Sequence, residues 1–99
     1  MNNIYILRTH YESKSNDNGL SDGLHGKAYK SSSAAFDAAK REFVDMYINE
    51  FGESRLKPDE DYYKQLCRCD EIEYNHGLIA WHGETVEFSV DIDEVELVG

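Results

Sequence analysis

The chain has 99 residues, 40% hydrophobic and 12% aromatic, enough for one compact core and too few for two. Twenty carboxylates against ten Lys and Arg give a net charge of −10, and from Cys69 to Gly99 there are nine carboxylates and no Lys or Arg. A field of this sign works against binding nucleic acid or an anionic membrane and favours basic surfaces. The opening run Met1–Arg8 lacks the basic and apolar regions of an ordinary signal peptide, and no apolar stretch approaches the about 20 residues of a membrane span. A cytosolic location follows as the expectation, with Cys67 and Cys69 as reduced thiols.

In chain order, residues 3–11 are β-branched and aromatic and predict a first strand. Ile4 and Ile6 fall on one face and Tyr5, Leu7, Thr9 and Tyr11 on the other, so a position inside the sheet is expected. Residues 12–26 hold Gly19, Gly23, Gly26 and the Asn16-Asp17-Asn18-Gly19 cluster, and read as a mobile loop. Lys27 to Lys30 predict a short second strand. Ser31 to Ser33 offer a helix N-cap. Phe36, Ala39, Phe43, Tyr47 and Phe51 recur at three- and four-residue steps, which predicts an amphipathic helix stopped by Gly52. Pro58 followed by Asp59, Glu60 and Asp61 reads as the start of a second helix, with Leu66 and one of Tyr62 or Tyr63 inward.

Beyond Glu71 the period becomes two. Ile72 and Tyr74 predict a strand, Asn75-His76-Gly77 a turn, Leu78 to Trp81 a strand and His82-Gly83-Glu84 a turn. In the last run Val86, Phe88, Val90 and Ile92 are expected inward, and Glu87, Ser89, Asp91 and Asp93 outward. The alternation slips at Asp93-Glu94, for which a β-bulge is the expected cause. The order ββααβββ predicts one α+β domain over residues 1–99: a small, mainly antiparallel sheet with two helices on one face.

No motif points to catalysis. Gly19-Leu20-Ser21-Asp22-Gly23 has Gly-x-Ser-x-Gly spacing but lies in the predicted loop with no helix directly after it, so it is not a recognisable nucleophile elbow. Carboxylate pairs are guaranteed by chance among so many acids. Cys67-x-Cys69 with His76 and His82 does not match zinc spacing. An EF-hand alignment on Gly19 puts Lys14 first and His25 last, the wrong residues for calcium. No metal or cofactor is expected. The candidate partner-binding residues are the late carboxylates Asp70, Glu71, Glu73, Glu84, Glu87, Asp91, Asp93, Glu94 and Glu96. Tyr62 and Trp81 join them, each open to a core reading as well. Residues two apart on a strand lie on one face, so Glu87, Asp91 and Asp93, with Glu71 and Glu73 from a neighbouring strand, are expected to form a rigid anionic array fitted to a groove lined with Lys and Arg. The other reading of such an array is a solvated, solubilising surface.

In size, charge and element order the chain resembles small phage-encoded inhibitors of bacterial defence, the anti-CRISPR proteins. That resemblance rests on no shared motif and carries over no residues. It implies a non-enzymatic inhibitor in the host bacterial cytosol that mimics nucleic acid and occupies a DNA- or RNA-binding groove of a CRISPR-Cas complex. The alternative from the residues is an interaction module whose partner has nothing to do with nucleic acid.

Overall fold

The computed structural model describes residues 3–14, 20–75 and 77–97, of which residues 20–22, 24 and 25 are described by backbone alone. The Asn16–Gly19 cluster and the His76 position of the predicted turn lie outside the described residues. The elements are β1 (Asn3–Ser13), β2 (Leu20–Tyr29), α1 (Ser32–Phe51), α2 (Tyr62–Leu66), β3 (Ile72–Asn75), β4 (Leu78–His82) and β5 (Val86–Glu96), with a 3-10 turn at Glu53–Arg55. They give the α+β order expected from the sequence.

The five strands form one sheet in the order β2-β1-β5-β4-β3, with every neighbouring pair antiparallel. The first and last strands are neighbours, running without a break in register from Asn3↔Glu96 to Ser13↔Val86. β1 therefore has partners on both sides, as its apolar residues on both faces predict.

α1 begins where Ser31 accepts the Ala34 amide through its side chain at 3.1 Å. It ends at Gly52, whose φ of 88° and ψ of 150° suit only a residue without a Cβ. Its apolar stripe lies across β1, β2, β4 and β5, and α2 packs beside α1. Leu7, Ile79, Trp81, Val86, Phe88 and Val90 form the sheet's contribution to the core, with Ala35, Ala38, Ala39, Phe43 and Tyr47 above them. Phe43 meets Phe88 at a centroid distance of 5.2 Å, and Trp81 stacks on Phe88 at 6.0 Å with 6° between the rings. Among the described residues, the other face of the sheet carries no helix.

Three expectations are corrected. β2 starts at Leu20, so much of the predicted loop 12–26 is strand. Its glycines masked the alternation, and pairing with β1 supplied what local propensity lacked. The slip at Asp93-Glu94 is not a bulge, since β5 stays in register with β1 there. Glu94, Val95, Glu96 and Leu97 are all exposed, so burial no longer distinguishes the faces and the apolar pattern is free to drift. The irregularity lies instead between β1 and β2, where Ile6↔Ala28 is followed by Arg8↔Leu24. Finally, α2 starts at Tyr62 rather than at Pro58. Asp61 caps it by accepting the Lys64 amide at 3.0 Å, while Gln65 donates to the carbonyls of Lys57 and Glu60 and accepts the Lys57 amide. That network holds Pro58 to Glu60 as a turn.

Candidate functional site: the carboxylate-bearing face of the sheet

Alternation along the strands sends Glu87, Ser89, Asp91 and Asp93 of β5 to the uncovered face, as predicted. Arg8, His10 and Glu12 of β1, Leu78, Ala80 and His82 of β4, and Glu73 of β3 share that face by register. Near its middle a hollow of about 580 Å³ opens between Arg8, His10, Leu78, Ser89 and Asp91.

The acids on this face differ in their surroundings. Glu87 accepts from Lys14 Nζ at 3.2 Å and lies 3.4 Å from His82 Nδ1. His82 Nε2 in turn lies 2.8 Å from Glu73 Oε2, so a chain of polar contacts runs from the end of β1 to the edge strand β3. The bond from Lys14, followed by that from His82, holds the Glu87 carboxyl below its ordinary value. Asp93 is ion-paired with Arg8. Asp91 faces the same guanidinium across the register, yet its carboxyl is pushed up, first by burial and then by the charge of Asp93.

Of the other predicted acids, two lie on the opposite face and the rest lie outside the strands. Glu94 and Glu96 alternate to the opposite face, where Glu94 takes the Tyr5 hydroxyl at 3.3 Å. Asp70 and Glu71 are exposed ahead of β3, and Glu84 is exposed in the β4–β5 turn. The nine carboxylates are thus divided over both faces and the sheet ends, and two of the open-face four are matched by bases from the amino-terminal half. This corrects the expected single uncompensated array. The reason is topological: pairing β1 beside β5 places Arg8 and Lys14 against the late acids.

Trp81 is a core residue with only 7% of its surface exposed, packed among Tyr47, Phe51 and Phe88. Its core reading holds and its interface reading does not. Tyr62 is half-buried and donates to Glu53 at 2.7 Å. Sequence reasoning missed Glu12, Arg8 and Lys14. The polar alternation Arg8-x-His10-x-Glu12 was the signal that β1 adds charge to the open face.

Among the described residues, no group of three or more His, Cys, Asp or Glu is placed to hold a metal ion, and no helix is long and apolar enough to cross a membrane. Cys67 is exposed, Cys69 is half-buried, and both are free thiols. No protein-family model matches the chain, and comparison with curated proteins and with solved structures gives no match.

Proposed function

We propose that this chain is a non-enzymatic protein-binding inhibitor that engages a cationic, nucleic-acid-handling protein surface through the open face of its sheet. The observation that carries the reading is a face that no helix covers among the described residues and that presents Glu12, Glu73, Glu87, Asp91 and Asp93 against Arg8 and Lys14. Its balance stays negative after pairing, in a chain of net charge −10. A broad field of this sign speeds encounter with a basic partner and makes binding sensitive to salt. The specific form of this reading is an anti-CRISPR protein acting on a CRISPR-Cas complex in the bacterial cytosol, and it rests on the resemblance in size, charge and element order.

The ion pairs of Arg8 and Lys14 favour a second reading. An anion-only decoy has no use for them, whereas an adaptor with a mixed polar face does, with half-buried Ile4 and Ile6 adding apolar contact. The test is binding to a purified CRISPR-Cas effector complex at low and high salt, with and without target DNA. The first reading expects binding that weakens with salt, is displaced by DNA and is lost on reversing Glu87 and Asp91 to Lys. Salt-insensitive binding that DNA leaves in place selects the adaptor. Failure to bind any such complex overturns the anti-CRISPR form.

A further inference from the structure

On the helix-bearing side, where α1 begins, a groove of about 450 Å³ is bounded by Tyr5, Phe36, Tyr74, Ile92 and Glu94. Register explains its composition. Tyr5 and Glu94 are directly opposed on β1 and β5, and Ile92 precedes Glu94 on the same face. Phe36 comes down from the start of α1. Tyr74 reaches in from the edge strand β3, its ring meeting Phe36 edge-on at 5.3 Å while 57% of the residue stays exposed.

Glu94 is held by neutral donors, the Tyr5 hydroxyl and the Asn3 side-chain amide. Among the described residues no Lys or Arg pairs with it, in contrast to Glu87 and Asp93. Aromatic rings grouped around an unneutralised carboxylate are the chemistry that recognises an ammonium or guanidinium group. This aromatic surface already accepts one cation: Lys40 Nζ sits 5.1 Å from the Phe36 centroid and 5.7 Å from that of Tyr63. Lys40 is also paired with Asp37, which leaves Tyr5, Tyr74 and Glu94 for an incoming group.

We propose that this groove receives a lysine or arginine side chain of the partner protein, its cation against Glu94, Tyr5 and Tyr74 and its aliphatic stem along Phe36 and Ile92. The inference rests on the basic-partner reading above and adds a second contact, on the face opposite to Glu87, Asp91 and Asp93. Glu94 lines the groove together with Ser32 and Ser33 of the first turn of α1; a purely structural role there would show in stability rather than in affinity.

The test is an NMR titration of the 15N-labelled full chain with the peptide acetyl-Gly-Arg-Gly-amide and with its uncharged citrulline counterpart. The arginine peptide is expected to give saturable shifts at Tyr5, Phe36, Tyr74 and Glu94. Glu94→Gln and Tyr74→Ala should each weaken it about 2- to 5-fold, the range of an exposed cation–π or ion contact, with the melting temperature unchanged. Equal binding of the citrulline peptide would overturn cation recognition, as would a fall in melting temperature with affinity intact. Absence of shifts at millimolar peptide would overturn the groove. Shifts centred on Glu73, Glu87 and Asp91 alone would overturn it too, while leaving the basic-partner reading in place. Failure of that reading shows separately, as salt-insensitive binding to the effector complex.

Discussion

Glu87 and Asp91 share one face of one strand, and their neighbours push them in opposite directions. The Glu87 carboxyl is lowered from its ordinary 4.5, chiefly by the bond from Lys14. The stability it contributes is present above that value and is lost as pH falls through the lower folded one. The Asp91 carboxyl is raised from its ordinary 3.8 by burial and by Asp93. Ionised Asp91 therefore penalises the fold at neutral pH, and the penalty fades as pH drops toward 3.8. Thermal melts of the variants check both signs. Asp91→Asn should raise the melting temperature at neutral pH, with the gain vanishing below 3.8. Glu87→Gln should lower it at neutral pH and flatten the acid limb. Gly83 shows the other kind of residue-scale constraint. A Cβ there would lie 2.9 Å from the Val86 carbonyl and 3.0 Å from Trp81 Nε1, both in packed structure. Gly83→Ala should cost about 1–3 kcal/mol, read from the midpoint of chemical unfolding.

At the scale of elements, α1 was legible in the sequence almost to the residue because every local cue agreed. Ser31 caps it, apolar residues recur at helical spacing, and Gly52 closes it. Those two ends are testable by unfolding midpoints. Ser31→Ala should cost about 1 kcal/mol through the lost cap. Gly52→Ala should cost about 1–3 kcal/mol, because φ 88° with ψ 150° is a conformation that a Cβ opposes. β4 and β5 were legible for the same reason, alternation backed by burial. β2 was not, since Gly23 and Gly26 interrupt any pattern and its extent depends on β1. The start of α2 was misplaced because Gln65, from inside the helix, ties Lys57 and Glu60 into a turn, a contact that no local spacing reveals.

For the whole molecule, net repulsion competes with individual ion pairs. Exposed pairs such as Lys40–Asp37 and Arg68–Glu60 are worth about 0–1 kcal/mol each, and salt weakens them. Self-repulsion at net charge −10 acts on the entire fold and is screened by the same salt. Repulsion should win: the melting temperature is expected to rise from low to high sodium chloride while affinity for a basic partner falls. A melting temperature that falls with salt would show the local pairs to dominate. The charge excess, the α+β class, α1 and the inward and outward faces of β5 were all set by local order, because charge adds along the chain and periodicity needs no distant partner. Which acids share a surface was decided only by tertiary structure. Pairing β1 with β5 brought Arg8 and Lys14 to Asp93 and Glu87 and sent Glu94 to the aromatic groove beside α1, while pairing β4 with β5 left Trp81 inside. Strand order is a long-range choice, made by how the apolar faces close over one another, and spacing along the chain does not encode it.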